Sequence, residues 1–308
     1  MPKCNKEVIK IDNQLVYIIL LNYIKYEDTI ECLQSLKNID YPNYRIVVCD
    51  NASPNQSEKY IMEWIDSNGD KSIQFIQTGS NLGFAGGNNV GIRYALDQGA
   101  EYIWLLNNDT VVDSGALMTM VNRMNSNRKI GICGSKLMSY YNRTEVVGLA
   151  GWNRPVTAAG GHILEPKDLH RLTYIIGASM LFRREVFENV GLLQDDYFLY
   201  FEELDMAERI RNKYAMTVEL NSIVYHKEGS SIGNDTPFSE FYLLKNCLKY
   251  TWRFHKLFFP IVFTRLTLRI FHPFHKRIYN RKDMFFKVTR TFLKEIFDKN
   301  FNCIPRYR

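Results

Sequence analysis

The sequence predicts an α/β protein with a Rossmann-like, mostly parallel central sheet flanked by helices and a helical, basic C-terminal extension. Three observations predict it. Short apolar runs alternate with helical-period segments through the first hundred residues, the pattern of right-handed β-α-β units on a parallel sheet. The runs VYIILL (16–21), RIVVC (45–49) and YIWLL (102–106) lack polar alternation, as expected of strands buried on both faces. Charge is also split. Residues 241–308 carry 16 Lys and Arg against 3 Asp and Glu, and residues 1–240 carry 23 against 30, so an acidic body precedes a basic tail.

In order along the chain, the strand at 16–21 is followed by Asn22 and Tyr23. Ile30, Leu33 and Leu36 stand at helical spacing and predict a helix over 29–36, with Asp28 or Thr29 as its cap. Tyr41-Pro42-Asn43 turns the chain into the strand at 45–49, which ends in Asp50-Asn51-Ala52-Ser53. A helix over 57–65 and a strand over 73–76 follow. The segment NLGFAGGNNVG (81–91) then enters a helix over 90–96. Its Gly83, Gly86 and Gly87 let backbone approach a ligand, and a helix N-terminus can meet an anion; the alternative is a tight loop. The glycine spacing is neither G-x-G-x-x-G nor G-x-x-x-x-G-K-[ST], so neither a dinucleotide fold nor a P-loop is signalled.

The central stretch is YIWLLNNDT (102–110). An acid at the carboxyl end of a buried strand, flanked by Asn107 and Asn108, can hold a hard cation through oxygen. Asp109 could equally turn the chain or cap a helix starting near Ser114. In a parallel sheet the ends at Asn22, at 50–53 and at 107–109 lie along one edge and can converge on one ligand.

Residues 130–133 predict another strand. The Gly-, Asn- and Pro-rich stretch 140–171 reads as a long loop over the site, with Trp152 and His162 as candidate contacts. A strand over 175–182 and a helix over 184–190, closed by Gly191, come next. In DDYFLYFEELDMAERIR (195–211) an aromatic run leads into Glu202, Glu203 and Asp205. Acids in a first helical turn are stabilised by the macrodipole, and that alone could explain them. Set against Tyr197, Phe198, Tyr200 and Phe201, however, a carboxylate is partly desolvated and shifts toward the range of a general base. His226 follows a strand at 223–225, a position suited to a metal ligand.

The remaining composition sets limits. The chain has 308 residues, 46% of them hydrophobic, enough for one large core with an appendage. Its six cysteines are scattered with no C-x-x-C pair, which predicts reduced thiols of a cytosolic protein over a disulfide or zinc framework. No run of signal-peptide length opens the chain and no stretch has 18 uninterrupted apolar residues, so a soluble or surface-attached protein is expected. Residues 257–270 carry Arg265 and Arg269 among apolar side chains, interrupted by Pro260. This fits an interfacial helix drawn to anionic lipid; the alternative is packing on the body or on another subunit. No RNA-binding motif accompanies the basic tail, and no nucleic-acid partner is expected.

Taken together, N-Y after the first strand, D-N-A-S, N-L-G-F-A-G-G-N-N-x-G, L-N-N-D-T, G-A-S-M-L-F-R-R, Y-F-L-Y-F-E-E-L-D and V-Y-H resemble the family 2 glycosyltransferases over 16–231. Within them the chain is similar to the rhamnosyltransferase-like branch, which has the GT-A fold. The resemblance implies a GT-A domain over 1–236 and a separate helical region over 237–308 that contacts a membrane or a subunit. It implies that Asp50 binds the nucleotide base, with Asn22, Asn51 and Ser53 beside it. Asn81, Gly83, Phe84, Ala85, Gly86, Gly87 and Asn88 would lie along the sugar nucleotide, with Asn107 and Asn108. Asp109 and His226 would hold Mg²⁺ or Mn²⁺; the first position of the usual D-x-D motif is here Asn107. Glu203 stands where the catalytic base is expected, as Glu for the more frequent Asp, which leaves Glu202 and Asp205 open as the base.

The activity so implied is inverting, metal-dependent transfer from dTDP-rhamnose or a UDP-hexose to a hydroxyl of a glycan or lipid-linked acceptor in surface polysaccharide assembly. The protein would work in the cytoplasm, at the inner face of the membrane, alone or as a homo-oligomer. A nucleotidyltransferase that makes activated sugars and a non-catalytic nucleotide-sugar-binding scaffold are the rival readings.

Overall fold

A computed structural model describes residues 13–69, 71–227, 236–272, 280–298 and 306–307. The first half alternates as predicted: β1 (Val16–Asn22), α1 (Tyr26–Leu36), β2 (Tyr44–Asp50), α2 (Ser57–Asn68), β3 (Ile73–Gln77), α3 (Gly83–Asp97) and β4 (Tyr102–Asn107). There follow β5 (Thr110–Val112), α4 (Ala116–Ser126), β6 (Ile130–Ser139), β7 (Val146–Gly148), β8 (Ala150–Arg154), β9 (Ala159–Ile163), β10 (Ser179–Arg183), α5 (Arg184–Val190), α6 (Glu202–Ile210) and β11 (Ala215–His226). The C-terminal helices are α7 (Pro237–Phe254), α8 (Phe259–Phe271) and α9 (Arg281–Ile296).

The main sheet runs β3-β2-β1-β4-β10-β6-β11-β5, with β7 beside β6. β3, β2, β1 and β4 are mutually parallel. β10 enters antiparallel between β4 and β6, and β11 is parallel to β6 but antiparallel to β5. Strand side chains alternate between faces, and the core divides accordingly. Val16, Ile18 and Leu20 join Leu33, Ile61 and Met120 in one cluster; Tyr17 and Ile19 join Ile92, Phe187 and Met206 in another. The register aligns the polar strand ends. Asn22 lies opposite Asp50, Asp50 opposite Gln77 and Leu21 opposite Asn107.

Three expectations need correction. The glycine segment is not a loop leading to a helix at Val90; α3 already begins at Gly83. Its glycines serve packing, since a Cβ on Gly87 would stand 2.5 Å from Leu21 Cδ1 and one on Gly91 2.5 Å from Ile19 Cγ2. Residues 140–171 are not one long loop. They hold β7, the antiparallel β8–β9 hairpin and a 3₁₀ turn (Pro166–Arg171), and Trp152 lies under the guanidinium groups of Arg154 and Arg171. The strand expected over 175–182 is confined to Ser179–Arg183.

The tail is helical, and Pro260 sits harmlessly in the first turn of α8, where no intrahelical N–H bond is lost. Val262, Leu266 and Ile270 of α8 pack with Leu244 and Leu248 of α7, Phe292 of α9, and Tyr197 and Phe201 of the body. Among the described residues no helix is long and apolar enough to cross a membrane. Cys32, Cys49, Cys133 and Cys247 are free and buried, and burial pushes each thiol up to about 12. Cys4, Cys303 and Ser231 lie outside the described residues.

Candidate active site

The strand ends form one buried polar network. Oδ1 of Asp50 accepts from Asn22 Nδ2 and Ser53 Oγ, both at 2.6 Å; Oδ2 accepts from the Ser53 amide and from Gln77 Nε2. Asn22 Oδ1 in turn accepts from Thr29 Oγ1, which also receives Nδ2 of Asn108 at 2.9 Å. Asn51 donates to Asn81 Oδ1 and to the Gly83 carbonyl, and its own Oδ1 receives the Leu82 amide. The N-terminal turn of α3, carrying Phe84, Ala85, Gly86, Gly87 and Asn88, is thereby tied to the ends of β1 and β2. Asn88 donates back to the Phe84 carbonyl.

Asp109 and His226 meet because β5 and β11 pair there, with His226 opposite Thr110. Nε2 of His226 lies 3.2 Å from Oδ1 of Asp109, and both side chains are largely buried. Two donors bound at right angles to one octahedral ion at about 2.1 Å stand about 3.0 Å apart, so a carboxylate oxygen and an imidazole nitrogen at this spacing fit Mg²⁺ or Mn²⁺. Nδ1 of His226 is buried without a hydrogen-bond partner among the described residues. No third His, Cys, Asp or Glu completes a cluster among the described residues, so the further ligands would come from substrate phosphate and water. Asn107 contributes its carbonyl to Thr110 Oγ1.

The second half of the site is the N-terminus of α6. The chain enters it through Phe198, Tyr200 and Phe201 at φ of +66°, +65° and +77°. Bulky residues in the left-handed region are held there only by surrounding structure, at a cost of about 1–3 kcal/mol each. This entry turns Glu202 inward, 5% exposed, and sets Glu203 on the wall of a cavity of about 420 Å³. Trp152, His162, Tyr174, Tyr200, Arg265 and Arg269 line the same cavity. Burial raises both glutamates above the ordinary carboxylate range, and the charge of Glu203 raises Glu202 further. The hydrogen bond between them raises Glu202 and lowers Glu203. The two glutamates therefore titrate as one pair, both held above the ordinary carboxylate range chiefly by burial. The phenol of Tyr174 is also raised, by burial and then by the charge of Glu203.

Asp205 stands apart from this arrangement. It is fully buried, with Oδ1 2.6 Å from Arg209 Nε and Oδ2 2.9 Å from Arg253 Nη1. Of Glu202, Glu203 and Asp205, it is the one paired with cations.

Sequence reasoning brought most polar strand ends to this place but missed Tyr174, Arg265 and Asn246. Tyr174 and Arg265 reach the cavity from the hairpin region and from α8. Asn246 lies midway along α7, and its helical setting hid its role. Only its position one turn before Lys249 and two before Arg253, all polar in an apolar helix, could have signalled it.

The chain thus combines a mixed sheet, a polar network at its strand ends and a glutamate pair opening α6. The sequence matches the profile described as Glycosyl transferase family 2 over residues 16–191, more than half of the chain. The chain belongs to this family. It is similar to the low-salt glycan biosynthesis hexosyltransferase Agl10 of Haloferax volcanii, 26% identical over 212 residues that cover 64% of this chain and 61% of that protein. It is also similar to the dTDP-rhamnosyl transferase RfbF of Shigella flexneri, 24% identical over 68% of this chain and 67% of that one. The match thus spans less than two thirds of the first relative. Among solved structures, the mannosyltransferase PcManGT of Pyrobaculum calidifontis, in complex with GDP-Man and Mn²⁺, superposes with a TM-score of 0.57 at 14% identity, covering 92% of this chain and 75% of its own. S. aureus TarS (1–349) gives 0.58 at 12% identity, covering 91% and 80%. These structures share the GT-A fold with this chain.

Proposed function

We propose that the protein transfers a sugar, with inversion, from a nucleoside-diphosphate donor to a hydroxyl of a glycan or lipid-linked acceptor. The carrying observation is Glu203, a half-buried residue on the wall of an open cavity, whose buried Oε2 has no hydrogen-bond partner among the described residues. The donor nucleotide lies against Asp50, Asn51 and Ser53, and its diphosphate runs toward Asp109. Mg²⁺ or Mn²⁺ on Asp109 and His226 would neutralise charge growing on the leaving diphosphate. The acceptor enters the cavity beside Trp152 and Tyr174. Glu203 takes the proton of its hydroxyl as oxygen attacks the anomeric carbon from the face opposite the leaving group. A single carboxylate suffices for one displacement, and the configuration inverts. The hexosyl- and rhamnosyltransferases among the relatives support dTDP-rhamnose or a hexose nucleotide as donor.

The test is nucleoside diphosphate release from dTDP-rhamnose, GDP-mannose and UDP-hexoses with Mn²⁺. Glu203→Gln should abolish transfer and keep donor-induced thermal stabilisation, and normal turnover in that variant would remove Glu203 from its role. Pyrophosphate release would instead identify a nucleotidyltransferase, and donor binding without any turnover a scaffold.

The tail supports work at a membrane surface. Leu257, Ile261, Leu268 and Phe271 of the α8 segment are exposed, as are Phe286, Leu293 and Phe297 in and beside α9, among Lys and Arg residues. Exposed apolar stripes with cationic flanks suit an interface with anionic lipid, at the inner face of the cell membrane. α8 also lines the cavity through Arg265, Leu266 and Arg269. Flotation with phosphatidylglycerol liposomes should carry the protein upward; a protein that stays at the bottom of the gradient refutes this part.

A further inference from the structure

We infer that Asn246, in the C-terminal helix α7, is a positioning residue for the base: it clamps the left-handed aromatic segment that presents Glu203. The inference rests on the reading of Glu203 as the base. Asn246 is fully buried, and its Nδ2 lies 2.9 Å from the Tyr197 carbonyl, 2.6 Å from that of Leu199 and 3.0 Å from that of Tyr200. Three carbonyls converging on one atom fix which end of the amide faces them, because an oxygen there would be repelled by all three. They belong to the segment in which Phe198, Tyr200 and Phe201 hold positive φ.

The clamp does not act alone. Along the same stripe of α7, Lys249 Nζ donates to the Asp196 carbonyl at 2.9 Å and lies 2.8 Å from Asp196 Oδ2, while Arg253 reaches Asp196 and Asp205. Residues at i, i+3 and i+7 of a helix share one face, and here that face grips 195–205. On the opposite side the Phe198 carbonyl accepts the Phe84 amide at 2.7 Å, and a Cβ on Gly83, itself at φ +71°, would stand 2.2 Å from that oxygen. The strained segment is therefore wedged between the first turn of the donor-side helix α3 and α7. A backbone with three unfavourable φ angles would relax without such contacts, and Glu203 would move with it. A displacement of about 1 Å at a catalytic group is worth about 100-fold in rate.

The test compares Asn246→Asp and Asn246→Ala with Leu248→Ala, which damages the same buried cluster without touching the clamp. Hydrogen exchange is followed for amides of 197–204, together with kcat and donor KM for the nucleotide sugar turned over by the unmodified protein. Both Asn246 variants should raise exchange in 197–204 and lower kcat about 100-fold at unchanged donor KM, whereas Leu248→Ala loses stability and keeps kcat below its melting range. Unchanged exchange, or a kcat loss no greater than in Leu248→Ala, overturns the inference. Glu203→Gln in the same assay separates the two ideas: if it retains turnover, the assignment of the base fails, while raised exchange in the Asn246 variants would still report the clamp.

Discussion

Arg253 Nη1 lies 2.9 Å from Asp205 Oδ2, so a cation from the C-terminal helix α7 neutralises an acid of α6 that Arg209 already holds from the other side. Removing one partner of a buried ion pair leaves an uncompensated charge and costs about 3–5 kcal/mol. Arg253→Ala is expected to lose stability of that order in chemical denaturation. Asp205→Asn should also destabilise, yet keep the turnover of whatever fraction is folded. A complete loss of kcat in well-folded Asp205→Asn would move the base to Asp205.

Asp109→Ala should abolish the metal-dependent part of donor stabilisation. A ligand bound at 100 times its Kd raises stability by about 2.7 kcal/mol through mass action. In thermal-shift titrations with GDP-mannose, dTDP-rhamnose or UDP-glucose, the increment gained on adding Mn²⁺ is expected to vanish in this variant. An increment that persists would place the metal elsewhere.

Glu202→Gln is expected to stabilise the protein at neutral pH. Burial and then Glu203 raise Glu202 in the native protein, so its stabilising share is complete below the ordinary carboxylate range. That share is lost as pH climbs toward the raised native value, and glutamine does not incur the loss. The stability gap over the unmodified chain should open by about 1.4 kcal/mol per pH unit in that window and close below about pH 4. Equal unfolding midpoints at pH 4 and pH 8 would contradict a raised Glu202.

Gly91→Ala sets two effects against each other. Alanine favours a helix interior over glycine by about 1 kcal/mol, but its Cβ would stand 2.5 Å from Ile19 Cγ2 and 3.1 Å from Cys49 Sγ. Overpacking of that kind costs about 1–3 kcal/mol, and the residues to be moved belong to central strands. The melting temperature should fall. A rise would show that α3 has room to shift away from the sheet.

The sheet half of the fold was legible because buried parallel strands leave an unambiguous signature. The apolar runs at β1, β2 and β4 can be nothing shorter-lived than core, and their polar ends share one edge once the strands are parallel. The start of α3 was misplaced because small residues mark both loops and close helix–sheet packing, and the packing of Gly87 on Leu21 and of Gly91 on Ile19 shows only in three dimensions. The β8–β9 hairpin has little apolar alternation, and the contact of Trp152 with the Arg171 guanidinium joins positions nearly twenty residues apart. The family resemblance favoured Glu203 as the base and left Glu202 and Asp205 open. Their neighbours separate Asp205 from the other two, since Arg209 and Arg253 hold it while burial raises both glutamates. Beyond its spacing to Lys249 and Arg253, Asn246 carried no local signal, because its partners are backbone carbonyls nearly fifty residues earlier.

The pairing of β5 with β11 sets an order of assembly. Asp109 leaves the ribosome more than a hundred residues before His226, and the two meet only after β11 has docked beside β6 and closed its ladder on β5. Contacts so distant in sequence form late, because the chain between them must first surrender its loop entropy. A nascent chain ending short of β11 can already close the Asn22–Asp50 network, since those residues lie on adjoining early strands. The growing polypeptide thus completes its Asn22–Asp50 network well before it owns both Asp109 and His226.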